Sequence, residues 1–292
     1  MTGAQKGILM LTCPLVEDAA TLSPRQFYGF RRRLAGKELS TSDTGELTVS
    51  HLTELGLPVL TARKIIGLLD REELLSHYLR LGAVHGIVPL TRICGAYPDS
   101  LEQKLGDAAP PALFCRGDVS LLQTPCVALV GSRKLHEPGR LFAETVGWLA
   151  AEEGYTLVSG GAPGADTAAQ EACLRHGGKV IVFTPERLTD VTPQDGVLYC
   201  SEGGYDLPFS AQRALGRNRL IHALAEKTFV AQCDGERGGT WRGSLENLKN
   251  GYSELFVFQD GSRGAQALLR SGAEELTELF TIGGLKPEQL SF

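Results

Sequence analysis

Apolar positions change their period near residue 87. Before it they recur at helical spacing, first at Phe27, Phe30 and Leu34, then at Ile65, Ile66, Leu68, Leu69, Leu74 and Leu75, and Ser23-Pro24 supplies a helix-start signal. This predicts a small helical domain over residues 1–86. From residue 126 the pattern consists of compact runs rich in Val, Leu, Ile and Phe, at 126–130, 155–158, 179–183, 227–232 and 254–258, with a shorter run at 197–200. Helical stretches fall between them, at 138–153, 164–177, 210–225 and 240–250. Uninterrupted apolar strands alternating with helices predict an α/β fold, a Rossmann-like, doubly wound, mostly parallel sheet over residues 87–280, followed by a short tail at 281–292. In such sheets ligands bind beyond the carboxyl ends of the strands, so the strand-to-helix loops are where function is expected.

Composition changes this picture in three ways. The 35 glycines are about 12% of the 292 residues, against a usual ~7%, and follow no collagen period. The net charge of -5 excludes a globally basic nucleic-acid binder. Residues 1–86 hold ten Lys and Arg against nine Asp and Glu, so the acidity sits in the larger, C-terminal part. The seven cysteines are scattered with no CxxC, which argues against a structural zinc and predicts reduced, mostly buried thiols in a cytoplasmic protein. The apolar run Ile8–Leu11 is too short for a signal peptide, and no segment reaches the ~20 apolar residues of a membrane span.

The excess glycine collects in three strand-to-helix loops: Gly131-Ser132-Arg133-Lys134, the segment from Ser159 through Gly160, Gly161 and Gly164 to Asp166, and the stretch from Gly235 to Gly243. Glycine lets backbone approach a ligand, and free amides at a helix start favour an anion. Three such loops on one sheet edge predict a single phosphate-sized site. Neither GxxxxGK[ST] nor GxGxxG is present, so ATPase and dinucleotide-dehydrogenase readings fall back.

Several stretches resemble the DNA-processing family DprA, also called Smf. They are Tyr97-Pro98 with Leu101, Pro110-Pro111 through Gly117, Val127 through Arg133, Ser159 through Asp166, Arg217-Asn218-Arg219-Leu220-Ile221, Gly239-Thr240-Trp241 and Gly272-Ala273, in the family's order. The resemblance covers about residues 86–275. It implies single-stranded DNA binding through the Rossmann-like domain, association as a homodimer, and loading of a RecA-type recombinase in transformation or recombination. There are departures: Gly161 and Ala165 replace larger apolar residues, Phe209 precedes Arg217 by eight residues instead of forming a Phe-Pro directly before it, and no room for a C-terminal winged-helix domain follows residue 275.

Arg133 is read as a phosphate clamp in preference to a salt-bridge partner, with Ser132 either donating to the same oxygen or capping a helix. Ser159, Gly160, Gly161 and Gly164 are assigned to binding; Asp166 either contacts a ligand or caps its helix. The stretch 207–225 carries Arg213, Arg217, Arg219 and His222 and no acid, which suits a groove for a phosphate backbone. Arg213 and Arg217, four apart, are placed on one helix face, with Arg217 and Asn218 toward the ligand and Arg219 as the structural one. Gly239 and Thr240 complete the set; Thr240 either serves a phosphate or caps, and Trp241 is either core or a stacking platform for a base. Arg31-Arg32-Arg33 is read as a solvated helix face, and Thr53–Pro58 as the turn of a packed helix pair.

The favoured reading is a single-stranded DNA-binding protein without covalent chemistry, cofactor or metal. The rivals are a nucleotide-binding sensor and a nucleoside-monophosphate N-glycosidic hydrolase. The hydrolase signature PGGxGTxxE is not reproduced, since the next acid after Gly238-Gly239-Thr240 is Glu246.

Overall fold

A computed structural model describes residues 1–16, 19–34 and 47–285. Among the described residues five α-helices precede the sheet: α1 (Gly3–Thr12), α2 (Pro24–Arg33), α3 (Val49–Glu54), α4 (Val59–Leu69) and α5 (Glu72–Val84). Thr2 and Ser23 start the first two with reciprocal capping boxes to Gln5 and Gln26. The Ile8–Leu11 run is the buried face of α1. Gly56, at φ +79°, turns α3 into α4, and Arg33 donates to the Leu55 carbonyl at 3.0 Å to hold that turn. Arg32 grips Asp107 with both terminal nitrogens, at 2.6 and 2.8 Å, so part of the arginine run is engaged.

The remainder winds around nine strands: β1 (Ile87–Thr91), β2 (Ala112–Arg116), β3 (Cys126–Val130), β4 (Thr156–Ser159), β5 (Lys179–Phe183), β6 (Val197–Glu202), β7 (Lys227–Val230), β8 (Glu254–Phe258) and β9 (Glu274–Leu276). Their order is β1-β2-β6-β5-β4-β3-β7-β8-β9. The seven strands from β6 to β9 in that order run parallel, and β1 and β2 add antiparallel pairings at one edge. The sheet is the doubly wound one that the alternating pattern predicts. The patterning did not signal β1, which carries Pro89 on the sheet edge, nor β2, nor the three-residue β9.

The helices of this part are α6 (Asp99–Leu105), α7 (Glu137–Glu152), α8 (Ala165–Arg175), α9 (Ala211–Gly216), α10 (Asn218–Leu224), α11 (Gly238–Asn250) and α12 (Arg263–Arg270). The single helix expected over 210–225 is therefore two, with Arg217 at the break. Alternate residues of each strand serve opposite layers. Cys126, Ala128 and Val130 of β3 face the layer of α6, α10 and the N-terminal helices, whereas Val127 and Leu129 face α7 and α8. The first layer forms one continuous core from Ile8 to Leu268, so the N-terminal helices share their core with the sheet. In the second layer Gly147 of α7 lies so close to α8 that a Cβ would sit 2.1 Å from the Ala169 carbonyl oxygen.

One buried group makes this stability pH-dependent. His222 on α10 lies wholly within the core, 3.2 Å from Thr228 Oγ1, and burial pushes its imidazole down from 6.5 to about 3. The unfolded chain takes up a proton below its ordinary value while the folded chain refuses it. The stabilisation is thus complete above pH 6.5 and is lost at about 1.4 kcal/mol per unit as pH falls toward 3. Urea unfolding at pH 7 and pH 5 should show a loss about 2 kcal/mol larger for the native chain than for His222→Gln; equal losses would contradict this placement.

Candidate anion-binding cleft

The sheet reverses its winding between β3 and β7. The chain leaves β3 through α7 toward β4 on one side, and leaves β7 through α11 toward β8 on the other. Such a switch point opens a crevice beyond the strand ends. Here it is a cleft of about 1050 Å3, whose walls include Gly131, Ser132, Arg133, Asp166, Arg217, Asn218, Gly239 and Thr240. Of the residues predicted from sequence, Ser159, Gly160, Gly161, Gly164 and Arg213 do not line it.

Those lying behind the wall shape it. Asp166, buried at the first turn of α8, accepts the Gly160 amide at 3.0 Å and the Ala162 amide at 3.2 Å. Two amides of the second glycine loop are therefore turned onto a carboxylate of the chain itself and are not offered to a ligand. Gly164, at φ +93°, lies against the Ser132–Arg133 backbone, where a Cβ would come within 2.5 Å of the Ser132 carbonyl oxygen. The Ala165 amide donates to that oxygen at 3.1 Å, tying the first loop to the second. Thr240 Oγ1 donates to the Gly131 carbonyl at 2.9 Å and ties the third loop to the first. Ser132 Oγ donates to Asp234 at 2.7 Å, Asn218 donates to the Gly239 carbonyl at 3.1 Å, and Ser159 Oγ accepts from Gln170. Most of the hydroxyls and amides predicted to bind thus fasten the three loops together.

The arginines divide in the same way. Arg213 reaches the Leu207 and Pro208 carbonyls at 2.7 and 2.9 Å, the Pro185 carbonyl, and Ser201 Oγ at 2.8 Å, so it clamps a loop. The break between α9 and α10 separates it from the face that Arg217 presents. Arg219 pairs with Glu202 at 3.1 Å and again through its second terminal nitrogen. Trp241 packs on the core and is not part of the cleft.

Arg217 differs from both. Its residue is only 9% exposed, its Nε is buried without a hydrogen-bond partner, and among the described residues no carboxylate comes within 4 Å of it. Burial lowers its pKa, the negative charge of Asp166 counters this, and the nearby charge of Arg133 adds to the lowering. Burial pushes the Asp166 carboxyl up, against the attraction of Arg217 and the two amide hydrogen bonds. The guanidinium occupies the space above Gly160, where a Cβ would stand 1.5 Å from its Nη1. A buried cation lacking a complete set of partners is costly, and a second arginine beside it raises that cost. An anion entering the cleft would relieve both, and the planar guanidinium suits a phosphate's paired oxygens.

Wall residues that the sequence did not single out include Phe209, Leu215, Gln232, Asp234, Glu236 and Arg263. Phe209 is 49% exposed at the cleft, an uncommon setting for an aromatic ring. A Phe within the acid-free stretch 207–225 was the available signal. Arg263 comes from α12, a helix that strand-run spacing did not predict.

The fold and cleft define a class: a doubly wound α/β protein with a glycine-shaped crevice at its switch point, lined by Arg133, Arg217, Arg237 and Arg263 together with Asp166, Asp234 and Glu236. The model of the family described as DNA recombination-mediator protein A matches residues 90–283, and the chain belongs to that family. Among curated relatives it is similar to DNA processing protein DprA of Streptococcus pneumoniae, 33% identical over 183 residues that cover 58% of this chain and 64% of that one. It is also similar to protein Smf of Escherichia coli, 31% identical over 191 residues, covering 58% of this chain and 49% of that one. The match thus spans less than two thirds of either relative. The solved S. pneumoniae DprA structure superposes with a TM-score of 0.66 at 24% identity, covering 88% of this chain and 96% of that one, a likeness of fold. DNA processing protein A of Helicobacter pylori, for which a single-stranded DNA binding mode is described, superposes with a TM-score of 0.56 at 30% identity, covering 66% of this chain and 91% of that one.

The Gly160 seat has a direct test. Gly160→Ala should evict Arg217 from its seat and raise its rate of modification by phenylglyoxal, read by mass spectrometry, several-fold above that of the native, mostly buried group. An unchanged rate in the variant would contradict the seat.

Proposed function

We propose that this chain is a DNA-processing protein that holds single-stranded DNA in the cleft, with Arg217 and Arg133 on backbone phosphates and no covalent chemistry. The observation that carries this reading is the buried, incompletely partnered Arg217 in the cleft wall. Single strands are gripped by backbone charge together with aromatic surface. Phe209 and Leu215, both in the cleft wall, supply that surface in place of Trp241. Confinement of the grip to one cleft suits a chain with a net charge of -5.

The family supports the wider setting: a homodimer that hands single strands to a RecA-type recombinase, in the cytoplasm, during recombination or transformation. The H. pylori relative's single-stranded DNA binding mode supports the choice of ligand. No helix among the described residues is long and apolar enough to cross a membrane. The hydrolase reading has little support, because Glu246 accepts from Tyr252 at 3.4 Å and is not in the cleft wall.

Binding of a fluorescent oligothymidylate measured against salt tests the proposal. Native affinity should fall with salt, and Arg217→Ala should lose about ten- to a hundredfold in affinity and about 0.7 from the log–log slope, the value of one single-strand phosphate. Saturable binding of a mononucleotide without salt-dependent oligonucleotide binding would favour the sensor; release of free base from a nucleoside monophosphate would establish the hydrolase.

A further inference from the structure

The wall carrying Phe209 and Leu215 is a continuation of the loop that follows β6. Residues 203–210 leave the strand, pass over α5, and end at Ser210, whose hydroxyl accepts the Arg213 amide at 3.1 Å to start α9. Seven residues further on stands Arg217. The path of this loop therefore decides where the aromatic ring lies relative to the cation.

Three elements fix that path. Arg213, which lies behind the cleft wall, holds the Leu207 and Pro208 carbonyls. The 187–188 segment contributes Arg187, donating to the Asp206 carbonyl at 2.9 Å, and the Leu188 amide, donating to the Tyr205 carbonyl at 2.7 Å. The third is Tyr78 of α5, from the N-terminal helices. Its hydroxyl donates to Asp206 Oδ1 at 2.7 Å and accepts the Tyr205 amide at 3.1 Å, while Tyr205 returns a hydrogen bond from its own hydroxyl to the Tyr78 carbonyl at 2.8 Å.

The surroundings are built for this contact. The two rings lie 4.3 Å apart between centroids, and Phe114 of β2 meets both edge-on. Gly82, one turn along α5, leaves the room that Tyr205 occupies; a Cβ there would stand 3.0 Å from the ring. Gly204 does the same for the Tyr78 hydroxyl, again at 3.0 Å. Tyr78 and Tyr205 are buried, whereas Asp206 is exposed, so a hydroxyl from the helical layer is spent on an acid that solvent would otherwise satisfy. Packing alone would need only the ring.

We infer that Tyr78 is a positioning residue for the cleft, its hydroxyl fixing the 203–210 loop so that Phe209 stands ready at the wall beside Arg217. The inference rests on the proposed single-strand reading, and it gives the N-terminal helices a part in binding without any contact to the ligand. A loop held in its binding position avoids the ordering cost that a free loop pays on association.

The test uses the full chain and an oligothymidylate carrying one 2-aminopurine, whose fluorescence reports stacking. Tyr78→Phe keeps the ring and removes both hydroxyl bonds; it should weaken binding about three- to tenfold and reduce the stacking signal. Its salt slope should stay native, because no phosphate contact is lost. Asp206→Ala, at an exposed position, removes one of the two bonds and leaves the Tyr205 amide on the Tyr78 hydroxyl; it should give a smaller loss of affinity and stacking signal in the same direction, and it guards against a folding defect in Tyr78→Phe. In a Phe209→Ala background neither substitution should have a further effect, which a merely structural role would not produce. Native affinity and stacking signal in both variants, or losses that multiply with that of Phe209→Ala, would overturn the inference while leaving the DNA reading intact. Failure of the native chain to bind the oligonucleotide at low salt would overturn the reading and the inference together.

Discussion

Much of this molecule is organised around a cation that its own chain does not neutralise. Arg217 stands at the break between two helices, with its Nε buried and unpaired and a second arginine close enough to depress its pKa. Burying a charge in this way is tolerated only where surrounding structure enforces it or a ligand completes it. The enforcement is visible: Gly160 vacates the space, Asp166 supplies partial compensation from a distance, and two amides hold Asp166 in place. The rest of the cleft is the consequence of keeping that group where an anion can reach it.

This recasts what the glycines do. In a conventional phosphate loop, free amides face the ligand. Here two of the amides of the second loop serve Asp166, Gly164 allows the first two loops to touch, and Thr240 brings in the third. Glycine acts chiefly as a device for close approach between loops, and the ligand-facing charge comes from arginine side chains. The acidic balance of the whole chain is compatible with this, since the proposed grip would be confined to a single crevice.

How much of this was legible in the sequence depends on the range of the interaction. The parallel strands and the helices between them follow from local apolar runs, and the three glycine loops were placed correctly on one edge because the parallel sheet dictates it. The split of the helix at Arg217, the antiparallel β1 and β2, and α12 were not legible, since propensity says little about edge strands and short helices held by tertiary contacts. The division of the arginines was only partly legible. Spacing put Arg213 with Arg217, yet Arg213 is consumed by carbonyls supplied by segments up to 28 residues away. Phe209 was missed because its exposure is set by a loop whose anchor, Tyr78, lies 128 residues earlier than the carboxylate it holds.

Whether Arg217 is held ready for a phosphate can be read at a single nitrogen. In a 15N NMR spectrum of arginine Nε–Hε pairs, addition of a short oligothymidylate should shift the Arg217 resonance and slow its hydrogen exchange in stoichiometric proportion to the bound strand. An Arg217 resonance that stays unmoved while other arginines respond would show that Arg217 is not the phosphate contact.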